Sequence, residues 1–182
     1  MLPEPVSRTP LHTRTLTFRG YARDDGLWDM EGELHDSKHY GYDSSHGRRE
    51  AGEPIHDLHL RVTLDDGFVI HAISTAMDAT PFGECSLAGA AMQKMVGQRM
   101  GSGWRVAIER AIGGVAGCTH LRELLFNMAT AAFQTIPHQM EMRRMAAGQP
   151  RAADKAPPFY MGKCMTWRSE ERRVGKECTI QC

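Results

Sequence analysis

The sequence has no apolar run approaching the ~20 residues that span a bilayer. Its first twenty residues, MLPEPVSRTPLHTRTLTFRG, also lack the basic start and apolar stretch of a secretion signal, so a cytoplasmic setting is expected. Net charge is absent too. The 22 Lys and Arg balance 22 Asp and Glu, which leaves no overall field to recruit nucleic acid or an anionic membrane surface. Small molecules, metals and a protein partner stay open, as does the oligomeric state. Cysteine is scarce: Cys85, Cys118, Cys164, Cys178 and Cys182 are irregularly spaced, which argues against a disulfide framework, and reduced thiols are expected. No P-loop, H-E-x-x-H or dinucleotide fingerprint occurs.

What is present suffices for one core, since 182 residues at 41% hydrophobic match one domain with a tail. Two segments share a pattern of β-rich run, Asp-Asp-Gly, β-rich run. LHTRTLTFRGYAR passes through Asp24, Asp25 and Gly26 into LWDMEGELHDSK, and IHDLHLRVTL passes through Asp65, Asp66 and Gly67 into FVIHAIST. Glycine supplies the left-handed position of a three-residue hairpin loop, so two antiparallel hairpins are expected with Gly26 and Gly67 in that role. In the second, His56, Leu58, Leu60, Val62 and Leu64 share one face, which alternation marks as buried. The polar stretch HDSKHYGYDSSHGRREAGEP between the hairpins is either a mobile loop or a cover.

From Ser86 the period changes to that of helices. Leu87, Ala90, Ala91 and Met95 carry three-to-four spacing, Trp104 to Ile112 reads as a second short helix, and Leu121, Leu124, Leu125, Met128, Ala132 and Phe133 form the longest apolar stripe. Pro137 ends or kinks that helix, and HQMEMRRMAAG reads as a last one with its methionines in the core. Strands first and helices after predict an α+β domain: an antiparallel sheet of two hairpins followed by a helical layer. The expected divisions are an N-terminal extension at 1–10, the domain at 11–147, a connector and truncated final element at 148–168, and a tail at 169–182. The tail, with Cys178 and Cys182, resembles adapter-derived read-through appended to an open reading frame.

The stretch GGVAGCTHLRELLF places Cys118 and His120 at the mouth of the longest helix. Unpaired amides and the partial positive charge of a helix start favour thiolate at Cys118 and disfavour protonated His120, and thiolate and neutral imidazole are the forms that ligate metal. Cys85, in PFGECSLAG, repeats the placement after a Pro- and Gly-containing turn. The opposing reading is that both are small buried hydrophobes. C-x-H spacing is neither a zinc-finger pair nor C-x-x-C, so any ligand set has to converge in space. As nucleophile and base the pair is expected to be poor, because residues two apart on a helix do not face each other; a Cys-His enzyme would need His56 or His71. His56, His59 and His71 are most simply strand histidines, exposed or bonded across the sheet.

RDDGLWDMEGELHDSK, AGEPIHDLHLRVTLDD, TPFGECSLAG, GGVAGCTHLRELL and KCMTW together resemble a bacterial domain-of-unknown-function family, number 2889, over about residues 11 to 167. That family brings no activity. The order of hairpin, DD turn, strand, cysteine loop and helix-start cysteine is also similar to the iron–sulfur scaffold fold of the NifU and IscU type. Anchored on Asp65 and Asp66, this likeness puts Cys85 at the scaffold's second cluster cysteine, Cys118 at its last and His56 where its aspartate falls.

Three readings follow. The first is a non-catalytic, scaffold-like accessory protein that binds zinc or an iron–sulfur cluster through Cys85, Cys118 and His120, completed by Cys164 or His56. It requires Cys85 and Cys118 within about 10 Å at one edge of the sheet, with His120 turned toward them and His56 near. The second is a thiol or persulfide enzyme with Cys118 as nucleophile. The third is a protein-interaction domain with structural cysteines. Deletion of residues 169–182 is expected to change the unfolding free energy, measured by urea denaturation, by no more than about 0.5 kcal/mol.

Overall fold

The computed structural model describes residues 1–149, so Cys164 and the expected connector and tail beyond Gln149 lie outside the described residues. The chain divides into two compact units, Met1–Pro137 and His138–Cys182. The first is α+β. Strands β1 (His12–Ala22), β2 (Trp28–Lys38), β5 (Pro54–Leu64) and β6 (Ile70–Ala79) form an antiparallel sheet in the order β1-β2-β5-β6, two hairpins laid side by side. Within the polar stretch between them, β3 (Tyr42–Ser44) and β4 (Gly47–Arg49) pair as a separate small ribbon. Arg49 anchors that ribbon by donating to the carbonyls of Pro54 and Thr80.

Alternation decides which face is buried. Trp28, Met30 and Leu34 of β2 and Leu58, Leu60, Val62 and Leu64 of β5 are inaccessible or nearly so. The register sets Met30 opposite Val62 and Leu34 opposite Leu58. Helices α2 (Trp104–Ile112) and α3 (Thr119–Ala146) complete the core: Trp104, Ile108 and Ile112 recur every four residues in α2, and Leu121, Leu124, Leu125, Met128, Ala132 and Ile136 make the stripe of α3. Each Leu, Ile, Val or Met among these, fully buried, contributes about 1.5–3 kcal/mol of hydrophobic free energy.

Four local expectations are corrected. Gly26 takes the left-handed conformation of the first turn (φ +88°), but in the second that role falls to Phe68 (φ +63°), not Gly67. Asp65 Oδ1 accepts from the N–H groups of both Gly67 and Val69, which fixes the loop, and the Phe68 ring is buried 4.7 Å from that of Phe133. Burial here outweighs the steric cost of a bulky residue at positive φ. The segment from Gly83 is no amphipathic helix: a 3-10 turn (Gly83–Leu87), one helical turn α1 (Ala88–Ala91) and another 3-10 turn (Met92–Met95) succeed one another, burying Met92 and Met95 and exposing Leu87. Pro137 does not end the long helix: helical backbone runs from Thr119 to Ala146 through it, so the expected last helix is a continuation of the same one. In the second unit, Met142 and Met145 are exposed, not core.

Helix α3 approaches the sheet closely where strand side chains are missing. A Cβ added at Gly20 would lie 2.5 Å from Thr135 Cγ2 and Oγ1. Gly20→Ala is expected to destabilise the protein by about 1–3 kcal/mol in urea titrations, and Thr135→Ala in the same chain to recover part of that loss.

Candidate functional site

At one end of the sheet the buried face changes from apolar to charged. The row Leu16, Leu34, Leu58 is followed one rung on by Arg14, Asp36 and His56, each directly opposite the next on β1, β2 and β5. The ladder between β2 and β5 becomes irregular just beyond Asp36, as strands often do beside functional sites. Asp36 is 2% exposed. Arg14 donates to both its oxygens, from Nε to Oδ1 and from Nη2 to Oδ2, each at 2.8 Å. His12 Nε2 reaches Oδ1 at 3.1 Å and His56 Nδ1 reaches Oδ2 at 2.9 Å. Burial, the largest influence, pushes the Asp36 carboxyl up, but the Arg14 guanidinium and His56 overcome it and bring it down to about 2. For His56 burial is again the largest influence and wins: its pKa lies below the ordinary imidazole value despite Asp36.

The start of α3 closes over this rung. Arg14 Nη1 also donates to Glu123 Oε2 at 2.9 Å, tying sheet to helix. The His120 ring lies against that of His56, centroids 3.9 Å apart and tilted by 40°. One ligating atom each from Asp36, His56 and His120 lies within 4.8 Å of the others, the one such group of three among the described residues. Cys118 Sγ is 3.8 Å from His120 Nδ1. The contact that the two-residue spacing excludes on a helix therefore forms. The reason is that Cys118 is not in the helix: it caps it, its carbonyl accepting the first helical bond from the Arg122 N–H. A Cβ at Gly117 would lie 2.6 Å from Ile112 O, so only glycine lets the chain turn back over the end of α2 and aim Cys118 this way.

Cys118 is half-buried. Burial, the largest influence, raises its thiol, while a hydrogen bond from His120 and the N–H groups of Leu121 and His120 lower it and prevail. The helix-start N–H groups thus act on Cys118, second to the His120 side chain. Cys85 sits half-buried in the 3-10 turn after β6, and the three-residue ligand group includes neither cysteine. His56 and His120 do meet, and with Cys118 they are the members of the expected set brought together. Two of the strand histidines are bonded elsewhere: His59 to Asp57 and Asp78, and His71 to Asp65. Asp36, Arg14 and Glu123 escaped the sequence reading. The alternation that buried His56 was available in WDMEGELHD as well, where Asp36 continues the face of Trp28, Met30 and Leu34.

Fold and site together define an α+β protein whose terminal sheet rung and helix start enclose a thiol, two imidazoles and a carboxylate. The chain belongs to the family described as protein of unknown function (DUF2889), whose model matches residues 12–134 and so spans every residue of this site. No curated protein and no solved structure matches the chain. No helix among the described residues is long and apolar enough to cross a membrane.

Because the folded Asp36 carboxyl lies near 2 against an ordinary value of 3.8, its ionisation stabilises the fold in full above about pH 4, and this contribution is lost as pH falls through 3.8 toward 2. His56 acts in the same direction from about pH 6.5 downward, since the unfolded chain takes up its proton first. In urea unfolding across this range, the stability of wild type relative to Asp36→Asn is expected to fall by about 2 kcal/mol between pH 4 and pH 2.

Proposed function

We propose that this protein works through the Cys118 thiol, as a nucleophile in thiol or persulfide chemistry, with His120 as its proton partner. The contact of 3.8 Å between Cys118 Sγ and His120 Nδ1 carries this reading. It gives the sulfur both an acceptor for its proton and, from the helix start, N–H groups that stabilise the thiolate. In the reaction the Sγ proton passes to His120 Nδ1, the sulfur attacks an electrophilic sulfur or carbon, and His120 returns the proton to the leaving group. His56 packs against His120 and is itself fixed by Asp36, so the base rests against an anchored ring.

The scaffold-like reading has less behind it. A cluster needs several thiolates, and among the described residues no cysteine enters a group of three ligands. The interaction-domain reading gives no reason for the carboxylate and imidazoles behind the thiol.

The test is alkylation of chelator-treated full-length protein by iodoacetamide at neutral pH, with peptide mapping to separate the cysteines. Cys118 is expected to react at least about tenfold faster than Cys85, and His120→Gln to remove most of that difference. Equal rates in the wild type would refute the proposal.

A further inference from the structure

The end of the sheet offers more than a nucleophile. We propose that it also takes a divalent transition-metal ion, of which zinc is the physiological class, on His56 Nε2, His120 and Cys118 Sγ, with Asp36 as the hydrogen-bond acceptor behind His56. This site shares Cys118 with the thiol reading but does not rest on it.

The closeness of Asp36, His56 and His120 first suggests the carboxylate as a ligand. Its surroundings argue otherwise. Asp36 already accepts four hydrogen bonds, two of them from the guanidinium fork of Arg14, so an ion bound to it directly would displace donors and face a fixed positive charge. Behind a ligand, however, this carboxylate is well placed. It takes the Nδ1 side of His56, which sets the proton on Nδ1 and leaves the Nε2 lone pair for an ion, as the outer carboxylates of metal-ligating histidines do.

The remaining ligands come from the start of α3. Sulfur and nitrogen on one tetrahedral zinc, at about 2.3 and 2.0 Å from it, are about 3.6 Å apart. Cys118 Sγ and His120 Nδ1 are separated by 3.8 Å. Cys118 Sγ is not among the atoms that lie within 4.8 Å of one another, so this ligand set requires the Cys118 side chain to rotate toward His56 on binding. Arg14 balances the charge of Asp36, so the ligands themselves amount to one thiolate and two imidazoles. That mixed sulfur and nitrogen set favours zinc, cobalt or copper over magnesium and calcium. Three protein ligands leave a fourth position for water or a substrate atom. An ion here would take both Cys118 Sγ and the His120 Nδ1 that serves as its proton acceptor, so bound metal is expected to slow thiol chemistry at Cys118.

The experiment is a cobalt(II) titration of chelator-stripped full-length protein under reducing, oxygen-free conditions, followed by optical absorption. Wild type is expected to bind one equivalent with a sulfur-to-cobalt charge-transfer band and visible ligand-field bands. Cys118→Ser should lose the charge-transfer band, and His56→Gln or His120→Gln should abolish tight binding. Asp36→Asn should keep the band but weaken affinity about 10–100-fold, the mark of an outer partner. Cys85→Ser should bind as wild type does. Circular dichroism melts confirm that each variant is folded. As a readout on unmodified protein, zinc should protect Cys118 from alkylation and leave Cys85 labelling unchanged. Rapid alkylation of Cys118 with no cobalt uptake would overturn this inference and leave the thiol reading intact. Cobalt uptake with a charge-transfer band lost in Cys118→Ser, but with Cys118 no more reactive than Cys85 when metal-free, would do the reverse. A band that survives Cys118→Ser would place the sulfur ligand elsewhere and overturn the site as drawn.

Discussion

The site is organised by one buried charge. A carboxylate taken out of water has to be paired, and removing the partner of a buried pair costs about 3–5 kcal/mol. Asp36 meets that demand with Arg14, which lies across from it on β1 and spends its third nitrogen on Glu123 of α3. A single guanidinium thereby connects the first strand, the second strand and the last helix. His56 faces Asp36 from the third strand and completes its hydrogen bonds. Helix α3 is seated by its apolar stripe along the rest of the sheet, and the ion pair fixes its first turns at the end where that stripe runs out.

At those first turns opposing forces act on Cys118. Burial opposes the thiolate, and the helix-start N–H groups with His120 favour it. The net result depends on Cys118 standing just outside the helix, with its carbonyl inside the hydrogen-bond pattern and its side chain free to turn back on His120. The loop before it permits this because Gly117 lies against the Ile112 carbonyl. Both proposed roles, nucleophile and metal ligand, draw on this balance. Each needs a deprotonated sulfur and an imidazole nitrogen with an available lone pair.

Much of the fold was legible in the residues. Period-two alternation in IHDLHLRVTL put His56 and its leucines on one face, the repeated DDG marks placed both main hairpin turns, and the stripe from Leu121 marked the long helix. Misreadings came where tertiary burial overruled local preference. Phe68 accepts a positive φ because its ring is buried beside Phe133. The segment after Gly83 breaks into short turns that bury Met92 and Met95 one at a time.

For the site, sequence alone determined that Cys118 begins a helix and that His120 follows it, since glycine-rich turns and apolar periodicity are local signals. It also determined that His56 belongs to the buried face of its strand. Only the tertiary structure decided that these residues share one place, and that Asp36 and Arg14 stand behind them. Strand register and helix seating are set by packing between segments 20 to 109 residues apart, as the Asp36 to His56 and Arg14 to Glu123 bonds show. No local pattern encodes such distances, whereas a buried carboxylate and its counter-ion fix them through the cost of leaving either one unpaired.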